Sequence, residues 1–293
     1  ACGWEPFPQN KEFHLWVNKH YTRFKPLVQI DLSSNDAMWL DLSVGSLDLG
    51  NYADMADTRL FARKTEAFLA EADKLAGMGG YLETRPFYTT DAFEAAGNDG
   101  PEWRTVHVGF DVFMTAGNPV FAPIAGKIHS FADNANDRDY GPTVILEHAV
   151  SDTLTFYTLY GHLARTSLLG LQKGLPIAAG QQIGTIGPMP ENGNWPPHLH
   201  YQVILDLLDQ EGDFPGVTYP RQQGIWASLC PDPWLLVSGQ KSPASESKSI
   251  AELLDFRHRH LGKNLSVSYS RPLKILRGIR QYLLDDTGRR YLD

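Results

Sequence analysis

The chain of 293 residues carries 26 Lys and Arg against 34 Asp and Glu, a formal net charge of -8, with 42% hydrophobic and 11% aromatic residues. With no basic stripe, that balance excludes a protein that lives on nucleic acid or on an anionic membrane, where clustered Lys and Arg dominate binding. Two cysteines, Cys2 and Cys230, exclude a disulfide framework and a thiolate zinc site; one bridge stays open, with free thiols the simpler reading.

The length suits one large domain or two ordinary ones, and 19 Pro with 26 Gly favour many short strands and turns over a helical bundle. The opening Ala1-Cys2-Gly3-Trp4-Glu5-Pro6 has no basic n-region and no apolar h-region. No run of about 18 apolar residues occurs later, so nothing directs the chain across a membrane and a cytoplasmic place is expected. A start without Met points to a chain processed or cut from a longer one.

Up to about residue 54, Phe13-His14-Leu15-Trp16-Val17 and Leu27-Val28-Gln29-Ile30-Asp31-Leu32 read as short strands, separated by turn formers such as Ser33-Ser34-Asn35-Asp36. His14 and His20 lack partners at ligand spacing and read as structural. From Asp54 to Ala76, Leu60, Phe61, Phe68, Leu69 and Leu75 recur at helical spacing, which predicts an amphipathic helix ended by Gly77-Met78-Gly79-Gly80. A second short helix is expected over Thr90 to Ala96, before the loop Gly97-Asn98-Asp99-Gly100-Pro101.

From 103 to about 206 apolar runs alternate with Gly, Pro and Asn-Asp turns, with no helical pattern of about 10 residues between them, which predicts antiparallel strands with tight connections. Residues 207–237 form a Pro- and Trp-containing tail able to wrap that core. Ser238 to Ser249 has linker composition. Beyond it Ile250 to His260 is helix-like, and Tyr282 to Leu292 reads as a hairpin around a Gly turn.

Candidate chemistry sits at two places. His198-Leu199-His200 lies in an apolar run, and side chains at i and i+2 of a strand share a face, roughly 7 Å apart. Alone such a pair carries no chemistry. His107-Val108-Gly109-Phe110-Asp111 adds an imidazole and a carboxylate four residues apart; Gly109 and its Val and Phe neighbours argue against a helix, while a strand bent at Gly109 lets both converge. One imidazole of the later pair would complete two nitrogens and one oxygen, the three-ligand set of catalytic zinc sites. His162 and the unused imidazole are then the candidates for moving protons.

These parts resemble the lysostaphin/LytM-type zinc metallopeptidases in order: His107-x-Gly109-x-Asp111, Gly117-Asn118-Pro119-Val120, Ala125-Gly126-Lys127-Ile128, Thr143 to His148, Tyr157-x-x-Tyr160-Gly161-His162-Leu163, Lys173-Gly174, Ala179 to Gly184 and Pro197-His198-Leu199-His200. The resemblance covers about Arg104 to Val203. It implies one Zn2+ per chain on His107, Asp111 and His200, with His162 and His198 assisting the water and the oxyanion. It also implies an endopeptidase acting on a peptide or peptidoglycan-like substrate. The chain departs from the family in the bulkier Met189 to Pro196 approach and in Gln202, where an acidic residue is common. His129 and His148 read as structural.

Leu253 to Gly262, Pro272 to Gly278 and Gln281 to Asp293 resemble the opening of a class III pyridoxal-phosphate aminotransferase. That cofactor is held by a lysine far downstream, so pyridoxal phosphate is not expected here and His258-x-His260 reads as structural. The resemblances together imply a mainly β fold, α+β overall: an antiparallel peptidase core with a groove (103–237), an N-terminal extension packing on it with one amphipathic helix (1–102), a linker (238–249) and a truncated aminotransferase-like segment (250–293) whose remaining domain is the partner in a longer protein. The alternatives are a LytM-like module that binds without cleaving, and an amidase or peptidase serving the aminotransferase on a small intracellular substrate.

Overall fold

The computed structural model describes residues 5–48, 50, 52–88, 90, 93–97, 100–243, 249–261, 272–279 and 281–292. Cys2, the Asn98-Asp99 turn, part of the expected linker and Gly262 lie outside them. Cys230 is a buried free thiol, its pKa pushed up to about 12 by burial.

The chain opens with a helix Gln9–His20 (α1), a strand Ala37–Leu40 (β1), helices Tyr52–Ala56 (α2) and Thr58–Glu71 (α3), and strand Ala76–Gly79 (β2). A hairpin Glu94–Gly97 (β3) and Gly100–Trp103 (β4) leads into Val106–His107 (β5) and Phe110–Phe113 (β6). Then come Pro119–Phe121 (β7), Gly126–Asn134 (β8), Gly141–Ala149 (β9), Thr155–Gly161 (β10), Pro176–Ile177 (β11), Gln182–Thr185 (β12), His198–Ile204 (β13) and Val217–Thr218 (β14). Helices Gln223–Leu229 (α4), Leu235–Ser238 (α5) and Ile250–His260 (α6) precede Ile275–Ile279 (β15), Tyr282–Asp285 (β16) and Arg290–Leu292 (β17). The fold is mainly β, as expected.

Eight strands make one sheet in the order β1-β2-β6-β13-β10-β9-β8-β11. Only the β1–β2 pair is parallel; the others are antiparallel. On one face Phe156 of β10 receives α1: Phe13 meets it edge-on at 5.1 Å between ring centroids, and Trp16 at 5.5 Å. On the opposite face α3 packs Phe61 and Leu69 into a second buried cluster with Leu40, Phe87, Tyr88, Phe113 and Trp195. The two clusters sandwich the sheet, so its central strands are buried on both sides.

The N-terminal third departs from the sequence expectation. Phe13 to Val17 is helical, because the buried pair is Phe13 and Val17, four apart, while Leu15 is 62% exposed. Val28 makes a single bridge to Val120 and its neighbours form no strand. The long helix is broken at Asp57, whose carboxylate caps α3 by accepting from the amides of Arg59 and Leu60. Its expected glycine terminator, Gly77-Met78-Gly79, is instead a buried strand of the main sheet. A Cβ at Gly77 would lie 2.5 Å from Leu40 Cδ1, so glycine is what lets α3 and β1 close on it. Residues 94–97 are a strand of the β3–β4 hairpin, not a helix.

At the other end, Tyr282 to Leu292 forms the expected hairpin, joined by β15 into a three-stranded sheet. It touches the rest of the chain through Thr105 Oγ1 donating to Thr287 O at 2.7 Å and Arg277 donating to Ser46 O. Among the described residues no helix is long and apolar enough to cross a membrane.

Candidate metal centre

Cross-strand pairing sets one row of residues across the sheet: Gly79 of β2 faces Asp111 of β6, Asp111 faces His200 of β13, and His200 faces Gly161 of β10. Directly opposed residues share a face, so the carboxylate and the imidazole emerge side by side. The row ends in glycines for a steric reason. A Cβ on Gly79 would lie 2.6 Å from Arg85 Nη2, and one on Gly161 would lie 2.6 Å from Tyr140 Cδ1. Gly109 makes the bend between β5 and β6 that turns His107 inward, and a Cβ there would meet the His200 ring at 2.3 Å.

His107, Asp111 and His200 are all buried, and one donor atom from each lies within 4.8 Å of the others. The outer nitrogens of both imidazoles are already engaged: His107 Nδ1 donates to Gly80 O at 3.0 Å and His200 Nε2 to Gln202 Oε1 at 3.0 Å. These bonds assign the tautomers and leave lone pairs on His107 Nε2 and His200 Nδ1, which stand 3.0 Å apart. Asp111 Oδ1 lies 3.3 Å from the first and 3.2 Å from the second. Three acceptors aimed at one point repel each other unless a cation lies between them, so the donor set fits a metal ion. The electrostatics agree. Burial and the nearby Arg85 lower the His107 pKa to about 4. Burial opposes ionisation of Asp111, but His107 and Arg85 beside it hold its carboxyl well below the usual range.

His198, two residues before His200, stands on the same face of β13 and stacks on Phe113 at 4.7 Å. His162 follows the last residue of β10 with φ of 60°, a left-handed backbone that turns its ring over the row. The two rings lie 4.2 Å apart between centroids. His162 Nδ1 donates to Asn192 O at 2.8 Å and His198 Nδ1 to Pro196 O at 2.6 Å, so each is left with a basic Nε2. Burial lowers both pKa values, and both imidazoles are neutral near pH 7. All five residues singled out in the sequence therefore meet in one place.

They line a cavity of about 340 Å³, shared with Arg85, Tyr88, Phe93, Tyr140 and Trp195 among others. Sequence reasoning missed Arg85, which ion-pairs with Asp111, and Tyr140, whose hydroxyl lies 3.3 Å from His200 Nε2. Neither sits in a spacing pattern with the histidines. The Met189 to Pro196 stretch contributes directly, through the carbonyls of Asn192 and Pro196 and the ring of Trp195. His148 is not among the residues that line the cavity and is held by Ala125 O at 2.9 Å and Thr158 Oγ1 at 2.7 Å. His260 bonds within its own helix, to Phe256 O.

Residues 105–210 match the sequence profile of Peptidase family M23. Among solved structures, the chain is similar to the catalytic domain of the antimicrobial peptidase lysostaphin from Staphylococcus simulans, at 26% identity over 41% of this chain and 80% of that one, with a TM-score of 0.30. A zinc-containing peptidase from Vibrio cholerae is 25% identical over 34% of this chain and 27% of that one, with a TM-score of 0.26. A 51-residue stretch, 17% of the chain, is 47% identical to an alanine–glyoxylate aminotransferase 2-like protein of Drosophila melanogaster, and the match spans a tenth of that relative's length.

Proposed function

We propose, on the premise that residues 105–210 are a domain of the zinc-dependent peptidase family M23, that this chain hydrolyses a peptide or related amide bond. The observation that carries the reading is the convergence of His107 Nε2, His200 Nδ1 and Asp111 Oδ1 beside two further imidazoles whose basic nitrogens are free. His107, Asp111 and His200 would hold the ion. Zinc in such a site supplies a water with pKa near 7 and polarisation of the scissile carbonyl.

His162 and His198 would hold and move the protons. Each ring is fixed by its Nδ1 bond to a backbone carbonyl, so Nε2 can accept a proton from the attacking water and return it to the leaving amine. Their depressed pKa values keep them available as bases at neutral pH. Substituting His162→Ala or His198→Ala should lower turnover by about 10²- to 10⁴-fold, with metal content unchanged at one per chain. Assays with and without chelator on glycine-rich, peptidoglycan-derived and mixed peptides test this directly. A non-cleaving peptide-binding module is the outcome if the metal-loaded chain binds peptides and hydrolyses none.

A bounded substrate is favoured by one feature: Phe87, Tyr88, Phe93 and Trp195 wall the cavity beside the imidazoles. A short peptide or a small apolar amide fits such a space better than a long cross-linked polymer does. The 51-residue likeness to an aminotransferase-like protein supports reading an aminotransferase-like segment in this chain, which we place at 250–293 after a 238–249 linker. Under that arrangement the hydrolase would supply or process a small substrate for its neighbour.

A further inference from the structure

The cluster around Arg85 lies upstream of the family-matched segment, and proton transfer makes no use of it. The guanidinium is only 2% exposed. Its Nη1 donates to Asp111 Oδ2 at 2.6 Å and its Nε to Glu83 Oε2 at 2.8 Å. Glu83 is held in turn by the Leu42 amide, which donates to Oε1 at 2.9 Å. Nη2 reaches Gly80 O at 3.4 Å, the same carbonyl that accepts from His107 Nδ1. One short loop therefore touches two of the three candidate ligands, and the missing side chain at Gly79 gives the guanidinium its space.

We propose that Arg85 is a positioning residue of the metal centre: by occupying Asp111 Oδ2, it presents Oδ1 alone to the ion. The proposal rests on the metal reading above. A carboxylate with both oxygens free can rotate or chelate through both, filling a position that water or substrate needs. An arginine suits the task because it stays protonated at every working pH and its planar fork holds two carboxylates at fixed angles. Glu83 balances the charge and fixes the far side of the fork, since a lone buried guanidinium would be costly. The segment from β1 to Arg85 is then part of the metal centre.

The test uses the full chain. In Arg85→Met/Glu83→Leu both buried charges leave together, a change that proteins often tolerate in stability. Zinc affinity is read by competition with a chromophoric chelator, and ligand geometry by the visible spectrum of the cobalt(II)-loaded protein. The expected result is a 10- to 100-fold weaker zinc complex and weaker cobalt bands, as the released Oδ2 joins the ion and raises its coordination number. Arg85→Lys, which cannot bridge Glu83 and Asp111 in the same fork, should be at least fivefold weaker than wild type, and it decides the matter if the double variant does not fold. Zinc affinity within twofold of wild type and an unchanged cobalt spectrum in a folded variant overturn the proposal while the metal reading stands. A wild-type chain that binds no zinc overturns both.

Discussion

Gln202 shows how much one side chain two residues from a ligand can decide. Its Oε1 accepts from His200 Nε2, while its own amide donates to Pro215 O at 3.2 Å, so the acceptor end is fixed toward the imidazole. A carboxylate in that place would draw the ring proton more strongly; the amide holds the tautomer with less charge. Gln202→Leu should leave His200 free to flip or take the wrong tautomer, and zinc affinity should fall about 10- to 100-fold, read by chelator competition on the folded variant. Gly109→Ala is a steric counterpart. Its Cβ would enter the His200 ring, and it should lower metal affinity without removing any ligand.

Strands account for what was legible in the sequence. The site strands β6, β10 and β13 were readable because their largely apolar runs carry histidine, aspartate and glycine at ligand spacing, and residues on opposed strands share a face. The missed elements are those whose pattern depends on a distant partner. Gly77-Met78-Gly79 has a helix terminator's composition, yet it is a sheet strand because only glycine fits beneath Leu40 and Arg85. Phe13 to Val17 reads as a strand until Leu15 is seen to face solvent. Within β9, His148 illustrates a structural histidine whose chemistry is thermodynamic. Burial lowers its pKa from 6.5 to about 4, so the unfolded chain binds a proton first as pH falls. Its contribution to stability is complete above pH 6.5 and declines by about 3 kcal/mol on the way to pH 4. His107, His162 and His198 act in the same direction, so the check is comparative: urea midpoints of wild type should fall more steeply between pH 7 and 5 than those of His148→Gln.

At the scale of the whole molecule the two flanks are unequal, and the sheet order says why. The N-terminal flank supplies β1 and β2, and β2 hydrogen-bonds the strand that carries Asp111. It also supplies α1 over Phe156 and the Arg85 contact. The C-terminal flank touches the body through a few contacts such as Thr105 to Thr287 and the Arg290 guanidinium over Trp103; Leu284 is buried, but α6 has no buried residue. A chain ending at residue 249 should therefore keep wild-type zinc affinity and melt only a few degrees lower, the shift that about 1 kcal/mol gives in a protein of this size. A chain starting at residue 103 would expose the β6 edge and leave Phe156 uncovered. Burying one such aromatic is worth about 3–5 kcal/mol, so the shortened chain should lose cooperative melting and zinc binding together. Calorimetry of both truncations, with and without chelator, separates the cases; a fragment from 103 that binds zinc as the full chain does would show that the first hundred residues are an accessory to the centre and not a part of it.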